Sequence, residues 1–348
     1  MLQTKDVLKY RSIWMGLAIW GTVLHHMNMD GAPLLIQALR GYGNIGTYIF
    51  IFCTGIGSWY SLSRDDDSLR FFGRKAKRIF PMYWCHCLFW LTYEVIRNGI
   101  SWRDILGALF GIQYLTEREF PGNWYMAGLL LCYALAPYFF RWLKREDRIS
   151  RYVLFTLFLI LLSVPFWYSR RYIIVVVHFP ILFMGMALAK ITQERGHISP
   201  KGKRLALLML IPGFILLVLF YLLCKSDFNQ LRLLGLWWYP YILLTPGLCL
   251  LFSLIASHGE KSAFGRTVNR FFDFVGKHTF ELFLADGFAA EIFPLFVYRL
   301  HWFPDSPLGH MFQIVPTIIS AFLLNRFTAL VTKVIVPALL RKKSVETA

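Results

Sequence analysis

Apolar and polar positions fall in long blocks along this chain, not at the period of a strand or of a water-facing helix. Apolar stretches such as Leu205 to Cys224 and Trp237 to Ala256 recur throughout, separated by short segments rich in Lys and Arg. A helix of about 20 apolar residues crosses a hydrocarbon core roughly 30 Å thick. The pattern predicts roughly ten spans, over residues 12–29, 43–62, 79–96, 124–140, 152–168, 172–190, 205–224, 235–257, 272–297 and 311–336. The expected fold class is all-α, a polytopic membrane helical bundle that takes residues 1–348 as one domain. No repeat, linker or low-complexity tract divides it, and the first run lacks a small-residue cleavage site, so it reads as a retained helix.

Segment 104–122 breaks the pattern, being apolar at its start and charged at its end. Passing it across the bilayer would turn the cluster Arg141, Lys144, Arg145, Arg148 and Arg151 outward, against the bias of Lys and Arg toward the cytoplasmic side. Read as a re-entrant or interfacial segment on the outer side, it leaves most basic residues inside and both termini cytoplasmic. Trp102, Trp142, Trp167, Trp237 and Trp302 then fall near span ends, where indoles favour the interface.

Composition sharpens this picture. The chain is 57% hydrophobic and 16% charged, against about 25% charged in soluble domains. A net charge of +17 invites nucleic acid, but the cations are dispersed in loops between apolar runs and form no single basic face, so no nucleic-acid partner is expected. The cysteines lie mostly within apolar runs and form no CxxC, so neither a disulfide framework nor a zinc knuckle is indicated. Cys85-His86-Cys87 reads as packing, and no metal site is expected.

One basic segment stands out. "RFFGRKAKRIFPMYW", Arg70 to Trp84, carries Arg70, Arg74, Lys75, Lys77 and Arg78 directly before an apolar run. Its plainest role is orientation and attraction to anionic lipid, about 1 kcal/mol per basic residue near the surface. Ionisable residues inside the spans are costly and mark candidate sites; the main ones here are His25, His26, Glu94, His178, Lys277, Glu281, Asp286 and Glu291. At a rise of about 1.5 Å per residue, His26, His178 and Asp286 each fall roughly 21 Å from the inner face. A histidine beside a carboxylate is a minimal base and its orienter: the carboxylate fixes the tautomer and the free nitrogen takes a proton from a hydroxyl. Plain hydrogen bonding inside the bundle is the better account of a single buried histidine; for the adjacent His25-His26 with partners at the same depth the two readings are level.

Several stretches together resemble the acyltransferase-3 family of membrane O-acyltransferases. "MGLAIWGTVLHH" is similar to a first-helix signature of an arginine followed after ten residues by a histidine, with His26 at the histidine and Met15 at the arginine; Arg11 lies one turn earlier. "GNIGTYIFIFCTGIGSW" resembles the second helix, and "RKAKRIFPMYW" an Arg-Arg-x-x-Arg-Ile-x-Pro-x-Tyr-Trp signature, with Lys75 at the second arginine and Pro81 expected at the first turn of the third span. "NWYMAGLLLCYALAPYFF" looks like the Trp-Tyr-Leu helix that ends in proline. "HFPILFMGMALAK" places His178 where arginine is common, and "VGKHTFELFLADGF" places Asp286 where histidine is common.

The resemblance implies an acetyl or similar short acyl group, taken from cytoplasmic acetyl-CoA or another acyl-CoA. The group would pass to a hydroxyl of a glycan or lipid-linked sugar outside a bacterial cytoplasmic membrane. Arg74, Lys75 and Arg78, with Arg70 and Tyr83 of the same stretch, would hold the CoA phosphates. His26 would be the base, with His25, His178, Asp286 and Glu281 as the other site residues and Asp286 or Glu281 orienting the imidazole. A transporter or flippase for a glycan or organic acid also fits the spans, though no inverted repeat is present. A catalytically inactive sensory or scaffold module fits Met15.

Overall fold

The structure is a computed structural model that describes residues 8–116, 123–196, 198–225 and 236–335. The described residues form no strand. In chain order the helices that matter are α1 (Arg11–His26), α2 (Leu34–Tyr42), α3 (Ile45–Arg64), α4 (Ser68–Asn98), α5 (Trp102–Leu109), α6 (Gln113–Thr116), α7 (Asn123–Arg145) and α8 (Ile149–Ser163). They are followed by α9 (Arg170–Val176), α10 (Phe179–Arg195), α11 (Pro200–Leu208), α12 (Leu210–Lys225), α13 (Pro240–Gly259), α14 (Ala263–Lys277), α15 (Thr279–Tyr298), α16 (Pro307–Met311) and α17 (Ile314–Leu330).

Among the described residues, seven helical stretches are long and apolar enough to cross a membrane: 34–64, 124–145, 149–166, 171–195, 200–220, 240–259 and 307–334. The roughly ten spans expected from the apolar runs are therefore matched at seven. The helices at the other three are too short or too polar to count by length and composition. α1 has 16 residues, α4 begins with its basic stretch, and α15 carries Glu281, Asp286 and Glu291. Segment 104–122 makes two short helices, α5 and α6, far below a membrane's thickness at about 1.5 Å per residue, and its last six residues lie outside the described ones.

Two expectations change. The span at 272–297 is broken at His278, where α14 ends and α15 starts. α14 is amphipathic in three directions: Val275 and Gly276 are buried, Phe264, Phe271 and Phe274 are exposed, and Arg266 and Arg270 share the remaining face. A helix with an exposed apolar row beside a basic row suits a membrane interface better than a crossing. Pro81 does not open a helix either. Asp67 caps α4 by accepting from the Leu69 and Arg70 amides, and the helix runs through Pro81 for 31 residues. Prolines are tolerated in membrane helices because neighbours satisfy the freed backbone groups. The basic stretch thus stands on a rigid helix and not on a loop.

Close helix crossings hold the core together. Gly55 of α3 and Gly185 of α10 face each other's backbone: a Cβ at Gly55 would meet the Leu182 carbonyl oxygen, and one at Gly185 the Phe52 carbonyl oxygen. Gly16 of α1 and Gly276 of α14 do the same against Phe272 and Ser12. Small residues allow such backbone approach where lipid removes the hydrophobic incentive to associate. The Trp59 indole donates to Gln193 at 2.7 Å across α3 and α10, and the Trp14 indole to Ser253 at 2.9 Å across α1 and α13. Gly185→Val is expected to lower stability by about 1–3 kcal/mol, the usual cost of overpacking, read as a lower thermal unfolding midpoint in detergent; an unchanged midpoint would show that the crossing relaxes freely.

Charge separates the two ends of the bundle. At one end Lys144 pairs with Asp66 at 3.5 Å, Arg74 with Asp65 at 2.7 Å, Lys9 with Glu260 at 2.8 Å and Lys190 with Asp147 at 2.8 Å. The other end carries His25, His26 and α2.

Candidate active site

A cavity of about 570 Å³ opens among α1, α3, α4, the N-terminal half of α7 and the start of α15. Ligand pockets commonly measure about 300–1,000 Å³. Five cations line it, Arg11, Arg64, Arg74, Lys75 and Arg78, with Asp65 as the lone carboxylate of the lining. Asp65 is engaged by Arg74, whereas Arg11, Arg64, Lys75 and Arg78 make no ion pair among the described residues. Lys75 instead lies 5.1 Å from the ring centres of both Phe71 and Tyr133. Burial, then the neighbouring Arg78, Arg74 and Arg11, lower its pKa from the ordinary lysine value to about 8. The lining therefore carries a clear excess of positive charge.

Helical geometry explains which basic-segment residues arrive there. Arg74, Lys75 and Arg78 stand at i, i+1 and i+4 of α4 and share one face. Tyr83 stands half a turn away from Arg74, so its hydroxyl donates instead to the Ala108 carbonyl at 2.6 Å and ties α4 to α5. Arg70 points out to Asp67 at 3.1 Å and Asp65 at 3.5 Å. Neither Arg70 nor Tyr83 lines the cavity, unlike Arg74, Lys75 and Arg78. Arg11 does line it, beside Met15 on the same wall of α1. The guanidinium lost at position 15 thus has a counterpart one turn nearer the mouth.

The wall also contains residues that sequence reasoning missed: Arg64, Thr54, Tyr60, Ser61, Tyr125 and Tyr133. Helix spacing places Cys53, Gly57, Tyr60 and Arg64 on one stripe of α3, a signal available in the sequence. Tyr125 and Tyr133 of α7 carry no such signal, because only the packing of α7 on α3 turns them inward.

At the other end of α1, His26 Nδ1 lies 2.5 Å from Asp286 Oδ2 of α15. In the tautomer that carries its proton on Nδ1, the imidazole donates to this carboxylate and Nε2 presents a lone pair. Asp286 is fully buried, while 37% of the His26 side chain is exposed. α1 stops just beyond His26 because Met27 turns extended, the Asn28 side chain accepts from the Asp30 amide at 3.1 Å, and Gly31 takes a positive φ of 82°.

Of the other candidates only His25 neighbours this pair, its ring centre 5.6 Å from that of His26. His25 holds the Arg40 carbonyl at 2.9 Å through Nδ1 and so docks α2 against α1. Glu281 stands about 140° around α15 from Asp286, accepting from Asn325 at 2.7 Å and facing His278 at 3.2 Å. It does not touch His26. His178 caps α10, its Nδ1 2.6 Å from the Ile174 carbonyl and its ring 4.5 Å from that of Tyr48. Its position at the break between α9 and α10 turns it into the α3–α10 packing.

Met15 and His26 lie eleven residues apart on one face of α1, and Thr279, Phe283 and Asp286 form one stripe of α15. The cavity and the His26–Asp286 pair therefore lie along the same two helix faces, the pair beyond the closed end. No group of three or more His, Cys, Asp or Glu side chains able to hold a metal occurs among the described residues.

Fold and site together define a helical membrane protein with a cation-lined cavity on one side of a His–Asp pair whose aspartate is buried. A family model described as an acyltransferase domain matches residues 14–327, and the chain belongs to that family. It is a membrane acyltransferase. No curated protein and no solved structure matches the chain.

Proposed function

We propose that this acyltransferase moves an acetyl or similar short acyl group from a cytoplasmic acyl-CoA to a hydroxyl of a glycan or lipid-linked saccharide on the other side of the membrane. The observation that carries this reading is the alignment of a cavity lined by five cations with the His26–Asp286 pair along α1 and α15. Arg11, Arg64, Arg74, Lys75 and Arg78 suit the phosphates of CoA, the arginines by forked hydrogen bonds and Lys75 as a point charge. Arg11 and His26 are about 22 Å apart along α1, so the donor must be a long, slender carrier. CoA has that form, with its phosphates at one end and its thioester at the other.

In the reaction, His26 Nε2 takes the proton of the acceptor hydroxyl as its oxygen bonds to the thioester carbonyl carbon. The carbon–sulfur bond then breaks, and the proton passes from His26 to the departing thiolate. Asp286 holds the ring in the required tautomer and offsets the charge of the imidazolium. The basic end of the bundle faces the cytoplasm, where the donor is made.

The test uses the purified full-length protein in nanodiscs with acetyl-CoA and glycan acceptors of different classes. Free CoA is expected to appear in step with acylated acceptor. Passage of an acceptor across the membrane without consumption of acetyl-CoA would favour a transporter instead. Protease-accessible tags at either terminus should be cut only from the cytoplasmic side.

A further inference from the structure

The closed end of the cavity is built from one aromatic ring on each of three helices: Phe50 of α3, Tyr125 of α7 and Phe283 of α15. Their ring centres are 4.5 Å apart for Tyr125 and Phe283, 6.3 Å for Phe50 and Tyr125, and 6.4 Å for Phe50 and Phe283. All three are buried, so the layer is packed shut. Asp286 follows Phe283 by three residues, about 4.5 Å of rise on the same stripe of α15. On the cavity side of the rings lie five cations and a mouth open to the basic end. On the far side lies His26, partly exposed at the opposite end. The rings thus stand between the cavity and the His26–Asp286 pair.

Taking the cavity as the thioester site, as proposed above, the layer has a chemical consequence. A general base beside a thioester serves water as well as it serves a sugar hydroxyl. Water attack would join its oxygen to the acyl carbonyl carbon and break the carbon–sulfur bond. The proton would pass through His26 to the thiolate, giving a free carboxylic acid and CoA. Excluding bulk water from a reactive group is how active sites suppress such side reactions, and an apolar constriction excludes water by dewetting. We propose that Phe50, Tyr125 and Phe283 form a hydrophobic gate that admits the acyl thioester to His26 and makes the enzyme choose an acceptor hydroxyl over cytoplasmic water. The gate also seals the membrane. Because the cavity behind it is cationic, an opened gate passes anions.

Two measurements test this on the full-length protein, with thermal unfolding confirming that each variant is folded. In proteoliposomes loaded with iodide and given no acyl-CoA, the wild type should hold iodide, while Phe283→Ala and Phe50→Ala, on different helices, should each speed its efflux. With acetyl-CoA and no acceptor, the same variants should release free CoA about tenfold faster than the wild type, equal to removing roughly 1.4 kcal/mol of barrier. Phe50→Trp, which thickens the layer, should slow acyl transfer. Wild-type iodide retention and wild-type acceptor-free CoA release in both folded alanine variants would overturn the gate. Efflux from the alanine variants alongside a wild type that never consumes acyl-CoA would leave the gate standing and remove the acyltransfer reading of the cavity.

Discussion

His26→Ala should reduce acyl transfer by about 10²–10⁴-fold, the range a positioned general base contributes, while leaving the protein inserted and folded. His26 is suited to this measurement because its side chain is partly exposed and its hydrogen bond is to one partner, Asp286. Deleting it therefore opens no large cavity in the core. Asp286→Asn is the companion experiment. An amide in place of the carboxylate offers Nδ1 a weaker acceptor or a donor, so the ring is no longer held with Nε2 free. Transfer should fall strongly here too, and the double variant should be little worse than His26→Ala alone, as expected of groups that act as one unit. CoA retention should be untouched in all three, because neither residue lines the cavity. Full activity of folded His26→Ala would remove this histidine from the mechanism. A multiplied loss in the double variant would mean that Asp286 acts through another route.

Glu281→Gln separates the two carboxylates of α15. Glu281 is tied to Asn325 and His278, so its replacement should lower the unfolding temperature with little effect on transfer per folded molecule. The distinction was latent in the sequence. Residues 281 and 286 are five apart, which places them on different faces of a helix, and Tyr83 is excluded from the Arg74 face by the same arithmetic. His26 and Asp286 were paired by a depth estimate. That estimate took α15 to begin near residue 272, yet the helix starts at Thr279 after a break at His278. No glycine or proline marks the break, and the phenylalanines of α14 read as membrane-buried when they form one exposed row of an amphipathic helix.

The remaining spans were readable where composition alone decides, as in α8, α12 and α13, whose long apolar runs need no partner to be recognised. α1, α4 and α15 were also expected as spans, but by length and composition they do not count as crossings, and they carry four of the five cavity cations, the histidine and the aspartate. α4 and α15 are more polar because they turn charged groups inward, Asp286 being fully buried and Arg74, Lys75 and Arg78 lining the cavity. The cavity was legible in part. Arg74, Lys75 and Arg78 sit together on one helix face. Arg64, Tyr125 and Tyr133 reach the same space from α3 and α7, and that meeting is a product of helix packing, set by close approaches such as Gly55 against Leu182.

Arg78→Ala and Arg11→Ala should each weaken acetyl-CoA binding by about 10–100-fold, the equivalent of roughly 1.5–3 kcal/mol for a hydrogen bond to a charged group. Both line the cavity without an ion-pair partner among the described residues, so each has charge to offer a phosphate. Arg70→Ala is the internal control: its guanidinium is held by Asp67 and Asp65 outside the cavity, and its loss should leave affinity near wild type. Lys75 adds a pH dependence whose sign follows from its environment. Burial and three neighbouring guanidiniums lower its pKa to about 8, so the empty cavity holds it charged below that pH and neutral above it. A bound phosphate stabilises the ammonium, so binding above pH 8 must also take up a proton. Affinity for CoA should therefore be full near pH 7 and decline as pH rises through 8 to 9, and Lys75→Arg, which keeps its charge, should flatten that decline. Calorimetry at pH 7 and pH 9 in buffers of different ionisation enthalpy reads the proton directly. Affinity and proton uptake that stay constant across this range would mean that Lys75 does not face the phosphates. Wild-type affinity in both Arg11→Ala and Arg78→Ala would mean that the donor binds elsewhere.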